Sequence, residues 1–289
     1  MSRIAYVNGR YLPQTEAAVN IEDRGYQFAD GIYEVVHLYA GRLIDAERHL
    51  ARLDRSLAEI SLTPPMGRAA LLHVLQEVAR RNRVREGILY MQVTRGVAPR
   101  DHAFPPGDVP PSLVVTVRRT RPFPADAAKW AGRAITHPDL RWARCDIKST
   151  ALLANVLAKQ AARSQGAYEA ILVRTDGMVT EGSSTSVWIV DAEGVLRTRQ
   201  LDQAILPGCT RGTLLALIQE AGIDCREAPI SLTELRAARE IFVTSASSFV
   251  KPMVALDGAP VGEGIVGPVT RKLFALFARH VTGGLRNAA

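Results

Sequence analysis

Arg144-Cys145-Asp146-Ile147-Lys148-Ser149-Thr150 runs directly into Ala151-Leu152-Leu153-Ala154-Asn155-Val156-Leu157-Ala158. Small and apolar residues fill the second stretch, which predicts a buried helix. Lys148 then stands at the mouth of that helix, and two descriptions fit it. A lysine can lay its methylenes on apolar surface and carry its charge out to water. Alternatively, partial desolvation favours the neutral amine, the form that attacks a carbonyl. The choice depends on what else the chain offers to an amine of that kind.

The 289 residues are 47% hydrophobic and 22% charged, which describes a folded globular protein long enough for two ordinary domains. The opening Met1-Ser2-Arg3-Ile4-Ala5-Tyr6-Val7-Asn8-Gly9 has no apolar run of the signal-peptide kind. No unbroken apolar stretch is long enough to span a bilayer, so a cytoplasmic protein with no membrane partner is expected. Cys145, Cys209 and Cys225 are odd in number and widely spaced, which suggests neither a disulfide framework nor a metal site. The formal charge is +7, from 36 basic and 29 acidic residues. The arginines are dispersed, with no interleaved aromatic tract, so nucleic acid is not indicated as a partner. Only five basic residues are lysines: Lys129, Lys148, Lys159, Lys251 and Lys272. Any amine chemistry has that short list to draw on.

Outward from Lys148, strands and helices mix without a steady βαβ rhythm, which predicts an α+β fold. A hairpin is expected over 4–11, turned at Asn8-Gly9, and a strand over 32–39. Asp45 is expected to cap a helix whose apolar face is Leu50, Leu53, Leu57 and Ile60. A second helix over 67–81 and strands over 87–94 and 112–118 follow. The loop over 95–111, rich in Pro and Gly, is long enough to suggest a functional role. Pro122 and Pro124 mark a linker over 120–126. It divides a smaller N-terminal α/β domain, 1–119, from a larger C-terminal domain, 127–289, that carries Lys148. In the second half, strands are expected near 133–136, 170–174, 178–180, 186–190, 195–198, 225–228, 240–244 and 251–256. Helices are expected after Lys148, after Pro207-Gly208, and over 268–280.

If Lys148 holds pyridoxal phosphate as a Schiff base, three further services are required. An acid must keep the pyridine nitrogen protonated, the phosphate must be gripped, and the substrate carboxylate must be held. Glu181, at a strand end before Gly182-Ser183-Ser184-Thr185, is the acid candidate; an ordinary loop glutamate fits there too. Cys209 and Thr210 open a helix and present free N–H groups. Ser245 and Ala246 lie in a second small-residue turn. Arg52 is placed on the exposed edge of the Asp45 helix. Arg100 and His102, two residues apart in the 95–111 loop, can grip a carboxylate or simply supply loop polarity. Tyr33 shares its strand face with Val35, opposite Ile32 and Glu34, and packing alone would account for it.

Four stretches in this order carry a resemblance: Phe28-Ala29-Asp30-Gly31-Ile32-Tyr33-Glu34, Pro99-Arg100-Asp101-His102, Asp146-Ile147-Lys148-Ser149 and Thr180-Glu181-Gly182-Ser183-Ser184. With them the chain resembles the two-domain fold-type IV pyridoxal-phosphate aminotransferases, and among these the D-amino-acid aminotransferases. The resemblance implies Lys148 as the Schiff-base lysine and Glu181 as partner of the pyridine nitrogen. It implies Arg52, Cys209, Thr210, Ser245 and Ala246 around the phosphate, and Leu206 against the ring. Tyr33, Arg100 and His102 would trap the substrate carboxylate, the last two in the neighbouring subunit of a homodimer. The implied activity is ping-pong transfer of an amino group between a D-amino acid and a 2-oxo acid, with Lys148 moving the Cα proton. The same-fold alternatives are a branched-chain L-amino-acid or amine transaminase and an aminodeoxychorismate lyase. Two positions depart from the pattern. Ala246 stands where threonine is common, so a hydroxyl is lost while a backbone N–H remains; Ser186 stands where asparagine is common.

Overall fold

The structure is a computed structural model, and it describes residues 3–107 and 109–283. The chain folds into two compact units. The first takes the chain up to Pro122 together with Ile147–Ala151; the second takes Phe123–Asp146 and the chain from Leu152 onward.

In the first unit Asn8 and Gly9, at φ 44° and 89°, turn β1 (Ile4–Val7) into β2 (Arg10–Pro13). Positive φ at both centres is what a type I′ hairpin turn requires, and Asn-Gly adopts it at least cost. Then come α1 (Arg24–Phe28), β3 (Gly31–Tyr39), β4 (Arg42–Leu43), α2 (Ala46–Glu59), α3 (Arg68–Arg81), β5 (Gly87–Thr94) and β6 (Ser112–Arg119). The strands form one antiparallel sheet in the order β2-β1-β6-β5-β3-β4. Ile32, Val36 and Leu38 of β3 and Leu89, Met91 and Val93 of β5 join Leu50, Leu53 and Leu57 of α2 and Leu71, Leu75 and Val78 of α3 in one core. Asp45 precedes α2 as expected, but its side chain makes no capping hydrogen bond, because its backbone is left-handed at φ 55°. The short helix α1 was not expected; Asp23 caps it by accepting from the Gly25 N–H.

The Lys148 stretch packs with this unit, whereas the sequence assigned it to the larger C-terminal domain. The cause is backbone pairing. The Tyr33 N–H donates to the Lys148 carbonyl at 3.1 Å, and the Thr150 N–H donates to the Gly31 carbonyl at 3.0 Å. Ser149 bridges Ile32, and the Ile147 side chain enters the first core.

The second unit opens with a 3-10 turn at Ala127–Trp130. It continues through β7 (Gly132–Pro138), α4 (Leu153–Ser164), β8 (Glu169–Val173), β9 (Val179–Gly182), β10 (Ser186–Val190), β11 (Leu196–Thr198) and α5 (Cys209–Glu220). It ends with β12 (Cys225–Glu227), α6 (Leu232–Ala237), β13 (Glu240–Ser245), β14 (Phe249–Leu256), β15 (Ala259–Pro260) and α7 (Pro268–Thr282). Among the described residues these strands form a mixed sheet in the order β12-β11-β10-β13-β14-β7-β8-β9, with β15 beside β14. Its parallel pairs are β7 with β8, β7 with β14, and β11 with β12.

The helix after Lys148 differs from expectation in two ways. It begins at Leu153, and it is not buried: Leu153 is 73% exposed, Val156 57% and Leu157 58%, while only Ala158 and Ala162 are enclosed. The small residues, not the large ones, face the sheet. Helix α6 was missed although Ser231-x-x-Glu234 is a capping box, with both reciprocal hydrogen bonds formed. Among the described residues no helix is long and apolar enough to cross a membrane.

Candidate active site

Lys148 is half-buried on an extended segment, and its Nζ lies 4.0 Å over the centroid of the Tyr33 ring. Tyr33 in turn stacks on Tyr90 at 5.8 Å. Burial pushes the Tyr90 hydroxyl up to about 12, and it donates to Gln92 Oε1 at 2.6 Å. The Lys148 backbone is tied down at both ends, its N–H donating to Ser56 Oγ at 3.3 Å and its carbonyl accepting from Tyr33. Lys251 makes an instructive contrast. Burial first, then the Lys159 charge, lowers it to about 8. Yet its Nζ is committed to the Trp130 carbonyl at 2.6 Å and enclosed by the Trp130 and Tyr168 rings at 3.9 and 4.3 Å. A low-pKa amine without access is no nucleophile.

Arg52 is not on an exposed edge. It is buried, and its Nε and Nη2 donate to the two Glu34 oxygens at 2.7 and 2.8 Å. His49 Nδ1 lies 2.7 Å from Glu34 Oε2. An ionised carboxylate only accepts, so that nitrogen carries the hydrogen. Burial alone would raise the Glu34 carboxyl; the Arg52 charge and hydrogen bonds, with His49, outweigh it and hold the group at about 2. Sequence reasoning missed this trio, although its signal was present. Glu34 shares a strand face with buried Ile32 and Val36, and a carboxylate there demands cations. His49 and Arg52, three apart, lie on one face of α2.

Arg100 and His102 are both exposed, and both rest on Phe28. The Arg100 guanidinium lies 5.0 Å from that ring's centroid and the His102 ring 5.4 Å. Asp108, in the same loop, lies outside the described residues.

In the second unit Glu181 is buried at the end of β9. It pairs with Arg141, and its Oε2 accepts from the Leu206 N–H at 3.2 Å. Arg141 is the other member that sequence reasoning missed; Asp139 lies two residues away, but Glu181 and Ala204, which tie it to this site, lie far along the chain. It also donates to Asp139 at 2.7 and 2.9 Å and to the Ala204 carbonyl at 3.0 Å. Burial opposes its charge, but Asp139 and Glu181 outweigh that and push Arg141 further up. Glu181 is thereby matched to a permanent cation, which keeps it an acceptor. Burial pushes nearby Cys145 up to about 11, and its thiol donates to the Trp142 carbonyl at 3.1 Å, so it stays a thiol.

Helix α5 starts at Cys209, and Gly208 caps it without a side chain. The first-turn N–H groups of buried Cys209 and Thr210 therefore have no partner within the helix. A Cβ on Gly208 would stand 2.7 Å from Ser186 Oγ, so glycine keeps this helix start open. α5 packs against β13, whose end carries the Ser245-Ala246 turn. Ser245 Oγ meets Ser248 Oγ at 2.7 Å, which fixes that turn.

Residues 31–256 match the family Amino-transferase class IV. The chain belongs to the class IV aminotransferases. Curated relatives span it almost completely. It is 43% identical to a D-alanine aminotransferase of Bacillus licheniformis, covering 92% of this chain and 93% of that one. It is 40% identical to one of Staphylococcus haemolyticus, covering 96% and 97%. Among solved structures, the Escherichia coli branched-chain amino acid aminotransferase superposes with a TM-score of 0.87 at 22% identity over 98% of this chain and 95% of that one, which establishes the fold. That of Thermoproteus uzoniensis gives 0.84 at 26% identity over 98% and 96%. The aminotransferase is thus a pyridoxal-phosphate enzyme of fold type IV with a mixed α+β fold, as the resemblance implied. The residues present fit that cofactor: buried first-turn N–H groups beside a glycine-opened helix start suit a phosphate, and a carboxylate held ionised suits a pyridinium.

Proposed function

We propose that the chain is a D-amino-acid transaminase. It moves the amino group of a D-amino acid such as D-alanine to a 2-oxo acid such as 2-oxoglutarate in a ping-pong cycle in the cytoplasm. The observation that carries this is near-complete likeness to D-alanine aminotransferases at 40–43% identity, against 22–26% for the branched-chain neighbours. The Arg100-x-His102 pattern supports the same choice. Bound pyridoxal phosphate supplies an aldehyde for amines and a pyridinium that takes up electrons. With the cofactor bound, Lys148 would be the residue that holds its aldehyde. The Lys148 Nζ, when neutral, takes the proton from the substrate Cα. Glu181 would hold the pyridine nitrogen protonated, and Leu206 would lie against the ring. Arg52, the N–H groups of Cys209 and Thr210, and the Ser245-Ala246 turn hold the phosphate. Tyr33, Arg100 and His102 hold the substrate carboxylate, and that grip sets which hand of substrate presents its Cα proton to Lys148.

Incubating the enzyme with D-alanine and 2-oxoglutarate is expected to yield pyruvate and D-glutamate. Turnover of L-leucine with none of D-alanine would replace this proposal with the branched-chain one. Arg100→Ala is expected to raise KM for D-alanine about 10–100-fold, the worth of a charge-assisted hydrogen bond, with the cofactor spectrum unchanged.

We also infer a homodimer in which Arg100 and His102 serve the partner's site. Mixing Lys148→Ala with Arg100→Ala subunits tests it. Dissociation and random pairing would restore about a quarter of the parent's sites, because each heterodimer rebuilds one of its two. No recovery in a mixture verified to contain heterodimers would place Arg100 in its own subunit's site.

A further inference from the structure

The loop that bears Arg100 and His102 is clamped from inside the first unit. Arg24 is only 3% exposed. Its Nη1 donates to the Asp101 carbonyl at 2.6 Å and its Nη2 reaches the His102 carbonyl at 3.4 Å. Its Nε donates to Asp30 Oδ2 at 2.8 Å. Asp30 is shared. Arg95 donates to its two oxygens at 2.7 and 3.0 Å and also to the Ile60 and Ser61 carbonyls at 2.7 and 3.2 Å, past the end of α2. The chain of contacts therefore runs from the α2 terminus through Arg95, Asp30 and Arg24 to the backbone between Arg100 and Ala103. Phe28 completes it: the Arg24 guanidinium lies 4.8 Å from its ring centroid, beside Arg100 and His102.

Two exposed side chains on a long loop would ordinarily sample many rotamers and lose that freedom on gripping a carboxylate. Here their backbone is fixed by a buried fork and their rings and guanidinium lie on a common platform. A planar guanidinium can span two neighbouring carbonyls while pairing with a carboxylate; an ammonium cannot. We infer that Arg24 is a positioning residue for the substrate-carboxylate grip: it holds the Asp101–His102 backbone so that Arg100 and His102 are set before substrate arrives. The inference rests on the assignment of Arg100 and His102 to the carboxylate.

The test is a double-mutant cycle on the holoenzyme. Arg24→Lys keeps a charge beside Asp30 but cannot hold both carbonyls. Phe28→Leu removes the platform and leaves the ion pairs in place. Each is expected to raise KM for D-alanine about 5–10-fold with kcat and cofactor spectrum little changed. Arg24→Lys is expected to add less than about twofold in an Arg100→Ala background, because interactions in one network are not additive. A parent KM in both single variants, or a full additive effect of Arg24→Lys on top of Arg100→Ala, overturns the positioning role while the carboxylate assignment stands. A parent KM in Arg100→Ala removes that assignment and the positioning role with it.

Discussion

Lys148→Ala is expected to fold like the parent and to turn over D-alanine about 10²–10⁴-fold more slowly, the usual worth of a positioned acid–base group. The two halves of this expectation have separate origins. The fold half follows from the backbone, because the Lys148 N–H and carbonyl make the hydrogen bonds that seat the segment, and alanine keeps both. The side chain's contact of Nζ over the Tyr33 ring is worth about 0.5–1 kcal/mol at a half-buried site. The activity half follows from chemistry that no other lysine can take over. Lys251, which burial lowers to about 8, is hydrogen-bonded and enclosed by two rings. Small primary amines added to the variant should restore part of the rate, because the missing function is a base. A Lys148→Ala enzyme that transaminates at the parent rate would sink the assignment at its centre.

Glu34→Gln should show the largest loss of stability, about 3–5 kcal/mol, the cost of leaving buried charges without their partner. That corresponds to a melting temperature lower by on the order of 10 °C. The amide offers one acceptor where Arg52 and His49 need several, and its NH₂ group confronts two donors. The pH dependence has a definite sign. Glu34 is ionised in the folded protein down to about pH 2 but only to its ordinary value near 4.5 in the unfolded chain. Its contribution is therefore complete above about pH 4.5 and fades as pH falls toward 2. The gap between parent and Glu34→Gln in acid-unfolding curves should close over that window. A melting temperature within a degree or two of the parent's would contradict the trio. Because Glu34 also aims Arg52, weaker retention of pyridoxal phosphate should accompany the lost stability.

Much of this was legible in the residues. The first hairpin announced itself through Asn8-Gly9, and the strands over 32–39 and 87–94 were found where β3 and β5 lie, because such signals are local. Lys148 and Glu181 were singled out as candidates through the motifs around them. What escaped depended on contacts distant in sequence. Arg141 acquires meaning only when the fold brings Glu181 to it. Arg52 looked like a surface arginine until Glu34, from a strand, filled its fork. The α4 face was misjudged because apolar residues were assumed to point inward, whereas alanines line its buried side and leucines its open side. Capping showed the opposite failure: Asp45 has the right identity but a left-handed backbone, so residue type alone overstated what it does.

The excursion of Ile147–Ala151 into the first unit has a consequence for synthesis. A ribosome that has released residues up to Pro122 has not yet released the segment that pairs with the start of β3. The first unit must wait, one edge of its architecture incomplete, until the chain has passed through the opening of the second. An N-terminal fragment ending at the linker would therefore lack its closing segment, and with it the amine. Two halves expressed from a chain cut at 122 would have to recombine before the first held a finished fold, which makes the arrival of Ile147–Ala151 a late checkpoint in assembly.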